Sequence, residues 1–387
     1  MKRWTALTVA LLCLGVSAPA PSPRPANFDA FGITLLQRLA SRANENVFIS
    51  PLSIGIALSM AADGANGETR TAILRALRQP ERENLADSNA ALIRKTLTNR
   101  DARVGLADAI WLRAADPPLP SYMHLIRDKY AAEARAVHFE SPRAAAEINS
   151  WVSAHTLGLI SHLIDATHPE DFAYLTNALA FQANWTLPFA KESTQPHRFT
   201  SADGTRTTVK MMTLVGSFET AQERGYRELR APYGRGGFAA YIILPDHNNA
   251  LNLLKTLTRQ RFERDRRALR PQYIRFSMPR FTARYKRSLN DSLGALGMGI
   301  AFSRNADFTR MHLPREIYIA DVKHASYVRV DEAGTTAAAA TAVEFAKLGI
   351  SVSPPRPPVF IVDHPFIFAI RDERTGALLF IGLLNRL

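Results

Sequence analysis

Cysteine is nearly missing: of 387 residues only Cys13 is one. A disulfide framework is therefore excluded, and stability has to come from packing over a large core. Beyond residue 16 no apolar run is long enough for a helical membrane span. The G-x-S-x-G, H-E-x-x-H and G-x-x-x-x-G-K-[ST] signatures are absent, as is any Cys/His cluster. Of the ten scattered histidines, His155 and His162 share a helical spacing but lack a third ligand for zinc. No metal and no cofactor is expected, and no nucleophile and base pair emerges, so the chain reads as a non-enzyme. Negative charge is in deficit, with 48 Lys and Arg against 35 Asp and Glu, a formal charge of +13. What is present is 47% hydrophobic and 21% charged residues, a balance that buries a large core and excludes disorder and coiled coil.

Residues 1–20 stand apart. Lys2 and Arg3 precede an apolar run over residues 4–16, followed by Ser17, Ala18, Pro19 and Ala20, the order of a secretory signal peptide. Leu12 before Cys13 excludes a lipoprotein site, so Cys13 leaves with the signal. The expected product is secreted, outside the cell or into a periplasm, with no membrane partner.

Arginine is dense over residues 259–270, where Arg261, Arg264, Arg266 and Arg267 face only Glu263 and Asp265. This density can attract a polyanion. A solvated helix face fits the same residues. The glycines of Tyr233-Gly234-Arg235-Gly236-Gly237 sit before the strand-like residues 238–244 and read as a turn.

Helical spacing links Phe31, Leu35, Leu36 and Leu39. A second helix is expected from Ser50-Pro51, with Ser as cap and Pro in the first turn, to Asp63-Gly64. A third is expected through Ile148, Trp151, Val152, His155, Leu159 and Leu163. Strands are expected at 104–112, 174–185, 241–244, 273–278, 327–330, 367–370 and 378–381. Helices early and strands late give an α+β fold with large mixed sheets. Near the C terminus, Thr335-Thr336-Ala337-Ala338-Ala339-Ala340-Thr341-Ala342-Val343 has neither Pro nor charge. It fits an alanine helix, or a segment able to become a strand with Thr335, Ala337, Ala339, Thr341 and Val343 on one face.

The stretch Asp331-Glu332-Ala333-Gly334-Thr335-Thr336-Ala337-Ala338-Ala339-Ala340 resembles the mobile hinge of the inhibitory serpins. Asn46-Val47-Phe48-Ile49-Ser50-Pro51-Leu52-Ser53-Ile54, Asn177-Ala178-Leu179-Ala180-Phe181-Gln182-Ala183-Asn184-Trp185 and His364-Pro365-Phe366-Ile367-Phe368-Ala369-Ile370-Arg371-Asp372 are similar to the family's other signatures, in its order. The resemblance implies one domain over residues 28–387, about nine helices around three β-sheets, and an exposed reactive-centre loop at about 333–359. It also implies a monomer that traps a target serine protease covalently: the protease cuts the loop, and the loop then inserts into the main sheet. A binding or carrier protein on the same fold, or an inhibitor of cysteine proteases, remains open.

The family's register places the reactive bond at Leu348, before Gly349, with Lys347 as the alternative. Leu348 suits a chymotrypsin-like or elastase-like pocket and Lys347 a trypsin-like one. The hinge is carried by Glu332, Gly334, Thr335, Ala337, Ala338, Ala339 and Ala340. Ser50, Ser53, Asn177 and His324 match the shutter, a buried polar cluster under the main sheet. Trp185, Arg280 and Glu332 match the breach, where the loop enters the sheet, with Arg280 expected to pair with Glu332.

Overall fold

The computed structural model describes residues 26–40, 45–81, 85–313, 317–335 and 356–387. Residues 1–25 and 336–355 lie outside these, and with them the expected signal peptide and Ala337, Ala338, Ala339, Ala340, Lys347, Leu348 and Gly349.

Among the described residues, two hydrogen-bonded sheets organise the chain. The main sheet has six strands in the order Phe281–Ser288, Ile319–Val330, Gly334–Thr335, Ala173–Asn184, Arg103–Arg113 and Glu133–Val137. Ile319–Val330 and Ala173–Asn184 also pair directly with each other, in parallel. The second sheet has nine strands. Its path runs Val47–Ile49, Leu378–Leu384, Phe366–Asp372, Phe238–Pro245, Tyr226–Tyr233, Arg206–Glu223, Arg270–Pro279 and Val359–Ile361, with Thr194–Thr200 beside Arg206–Glu223. Three sheets were expected; here Arg206–Glu223 pairs with Thr194–Thr200 and Arg270–Pro279 over its first part and with Tyr226–Tyr233 over its end. That 18-residue strand joins two of the expected sheets into one ladder.

Helix Pro51–Gly64 contacts both sheets, and every one of its residues is buried. Its mostly apolar, small-residue sequence allows burial all round, and Ser50 caps it by accepting from the Ser53 amide at 3.0 Å. The opposite face of the main sheet is covered by helix Ala144–His155, whose Ile148 and Val152 pack with Trp111, Phe139 and Tyr174. This helix stops at His155, short of the expected Leu163. Leu157 and Gly158 take positive φ and turn the chain, after which Leu163 packs back into the same cluster without helix. Turn residues 234–237 join Tyr226–Tyr233 to Phe238–Pro245.

Candidate functional site

The seam between Ile319–Val330 and Ala173–Asn184 carries the polar residues singled out above. Along Ile319–Val330 the inward positions are Val322, His324, Ser326 and Val328, all buried. Strand alternation thus sends His324 toward helix Pro51–Gly64. Asn177 lies opposite it across the seam. The Ser50 amide donates to His324 Nε2 at 3.3 Å, which leaves the proton on Nδ1, 2.6 Å from Asn177 Oδ1. Asn177 Nδ2 donates to the Lys323 carbonyl at 3.1 Å, so both ends of its side chain cross the seam. Burial drives the His324 imidazole down to about 3, only partly offset by Asn177, so it is neutral at physiological pH.

Ser53 does not bond to His324. Its hydroxyl donates to Asp108 Oδ1 at 2.8 Å, and Asp108 faces Asn177 from the next strand. Asp108 is 1% exposed. Burial holds its carboxyl well above the ordinary range, with only the Ser53 bond opposing. Asp108 was missed from the sequence, although it is the one charge within the strand-like residues 104–112.

At the seam's upper end the two long strands part, and Gly334–Thr335 lies between them. Thr335 is in register with Val330 on one side and Ala183 on the other, and Gly334 with Asn184. A Cβ on Gly334 would meet the Ala183 carbonyl oxygen at 2.1 Å, so close approach of backbones, as well as the turn closed between Asp331 and Gly334, requires glycine here. Thr335 is fully buried and its hydroxyl is 2.7 Å from that of Tyr233, whose ring stacks on Trp185 at 4.3 Å. Tyr233 is the second residue that sequence reading missed, having been read only as the edge of a turn.

Around this point Trp185 donates from Nε1 to the Asp331 carbonyl at 3.0 Å and from its amide to Ala333 at 2.9 Å. The Arg280 guanidinium holds both carboxylate oxygens of Glu332, and Thr194 donates to Oε1 at 2.7 Å. Burial works to raise the Glu332 carboxyl, but the bonds from Arg280 and Thr194 outweigh it and hold it below the usual range. The cluster can therefore fix the start of the loop in the sheet while leaving the sheet able to part along the Asn177–His324 line.

The Arg-rich segment forms helix Arg259–Ala268, where Arg261 and Arg264 pair with Asp265, and Arg266 with Glu263. Much of the charge expected to draw a polyanion is thus matched locally. Among the described residues no group of three or more His, Cys, Asp or Glu is placed to hold a metal ion.

A family model described as serpin (serine protease inhibitor) matches residues 26–387. Serpin-Z2A of Triticum aestivum is 33% identical over 377 residues, covering 91% of this chain and 93% of that protein. The native state of tengpin, a thermophilic serpin, matches with a TM-score of 0.85 at 32% identity over 93% of each chain. Human thyroxine-binding globulin complexed with its hormone reaches 0.85 at 23% identity over 92% of this chain and 96% of that one, a likeness of fold alone. The chain belongs to the serpin family, whose members are mostly protease inhibitors rather than catalytic enzymes.

Proposed function

We propose that this protein is a secreted inhibitor of serine proteases that acts once per molecule. The nucleophilic hydroxyl of a chymotrypsin-like or elastase-like protease attacks the Leu348 carbonyl. The Leu348–Gly349 peptide bond breaks, Gly349 leaves as a new amine taking up a proton, and Leu348 stays esterified to the protease. The loop from Thr335 onward then becomes a strand of the main sheet between Ile319–Val330 and Ala173–Asn184. The protease is carried to the far pole before water reaches the ester. Extended, the 14 residues from Thr335 to Leu348 span about 46 Å at roughly 3.3 Å each, on the order of the size of the domain.

The observation that carries this reading is the placement of Gly334–Thr335. The first loop residues already hold strand register on both sides, and the sequence that follows is small and uncharged up to Glu344. The basic apolar start of the chain supports secretion.

The test mixes the mature protein with chymotrypsin-like, elastase-like, trypsin-like and cysteine proteases, followed by denaturing gels and intact mass. The expected result is a complex that survives denaturant, with a released peptide beginning at Gly349. A peptide beginning at Leu348 would move the bond to Lys347 and the target to a trypsin-like enzyme. Loop cleavage that leaves every protease active would overturn the inhibitory reading in favour of a binding or carrier role.

A further inference from the structure

The buried cluster contains one group that its closed arrangement does not satisfy. Asp108 Oδ1 accepts from Ser53, but Oδ2 has no hydrogen-bond partner among the described residues and no contact with solvent. An unpaired buried polar atom is costly, and here it lies within a few ångströms of the seam that has to open. Asp108 and Asn177 are directly opposed in an antiparallel pair, so their side chains leave the same face of the sheet with Cβ atoms about 5 Å apart.

Asn177 spends its amide differently in the closed sheet. Its Nδ2 goes to Lys323 and its Oδ1 to His324, both across the seam. A loop strand entering between Ile319–Val330 and Ala173–Asn184 removes both partners at once. It leaves the Asn177–Asp108 strand pair intact, because that pair lies on the same side of the opening.

We propose that Asp108 is a positioning residue for sheet opening: its unpartnered Oδ2 is the acceptor that Asn177 Nδ2 takes when the loop strand separates Asn177 from Lys323 and His324. In the closed sheet burial favours the protonated form of Asp108. In the open sheet, with Ser53 donating to one oxygen and Asn177 to the other, the carboxylate form is stabilised and the proton passes to solvent. Opening thus releases one proton, so it is favoured as pH rises.

The other titratable groups facing the cluster are shifted away from the neutral range. Helix Pro51–Gly64 offers Ser53, and its Asp63 bonds to Arg70 and Tyr130 at the other end. The Ile319–Val330 strand offers His324, which titrates only in acid. The neighbouring Phe281–Ser288 strand offers Tyr285, whose ring lies 6.2 Å from His324 and whose hydroxyl burial pushes up to about 12. No charged side chain contributes to the shift of Asp108.

This inference rests on the loop-insertion reading, and one experiment separates the two. The mature protein is incubated with an acetylated peptide reproducing residues 335–348, and strand addition is followed across pH 5–10 by native gel and by the gain in Tm. The wild-type rate is expected to climb with pH, by at most about tenfold per unit while Asp108 titrates. Asp108→Asn, which keeps the shape and an acceptor but cannot ionise, is expected to add the peptide at a rate flat in pH. Asp108→Leu is expected to be both flat and slower than Asp108→Asn. A pH profile in Asp108→Asn parallel to wild type would overturn the proposal. A wild-type protein that takes up no peptide at any pH would overturn the insertion reading and this proposal with it.

Discussion

His324 is kept neutral by burial, its ordinary value of 6.5 falling to about 3 in the fold. Because the folded state excludes this proton, the stabilisation is whole above pH 6.5 and drains away as pH falls toward 3. The slope approaches about 1 kcal/mol per pH unit. Thermal melts at pH 7.5 and pH 5 should therefore show a larger loss of Tm in the wild type than in His324→Gln; equal losses would remove His324 from the account. Glu332 acts with the opposite charge. Its carboxyl is held below the usual range, so the Arg280 pair is intact above about pH 4.5 and is lost as acid protonates it. Glu332→Lys places a cation against Arg280 and should cost about 1–3 kcal/mol at the top of the seam. On a native gel after mild heating the variant is expected to run as polymer; a monomer band as strong as wild type would contradict this. These residues were named from motif resemblance, whereas Asp108 and Tyr233 were not. Their roles arise from strand register and from a turn that brings distant segments together, which local sequence pattern does not encode.

The hinge is the element on which the proposed mechanism turns. Tyr233→Phe leaves the buried Thr335 hydroxyl without its partner, a loss of about 1–2 kcal/mol that should loosen Gly334–Thr335. Amide hydrogen exchange at Thr335 is expected to quicken, with exchange elsewhere in the main sheet unchanged. Gly334→Ala should do the same more strongly, since the added methyl meets backbone, which has little freedom to yield. Elements with strong local signals were legible. Ser50-Pro51 marked the start of helix Pro51–Gly64, and mostly apolar runs marked Ala173–Asn184 and Arg103–Arg113. The helix through residues 148–163 was read too long, because Leu159 and Leu163 keep helical spacing while packing from a loop. The strand Phe281–Ser288 went unread because five of its eight positions are exposed at a sheet edge.

At the scale of the whole molecule, a chain without disulfides closes two large sheets around a fully buried helix. It leaves a seam in one sheet seeded by two residues of the loop. The family and the α+β class were legible because several motifs recur in order along the chain. The joining of two expected sheets was not, since it depends on the length of Arg206–Glu223. The central claim is that the uncut sheet has a strand vacancy which the loop fills once cut, so that the native fold is not the most stable one the chain can adopt. The most direct measurement is the Tm of the mature protein before and after a single cut within residues 344–352, with both fragments retained. A clear rise in Tm on cleavage is predicted, from the added strand; an unchanged or lower Tm would contradict the account.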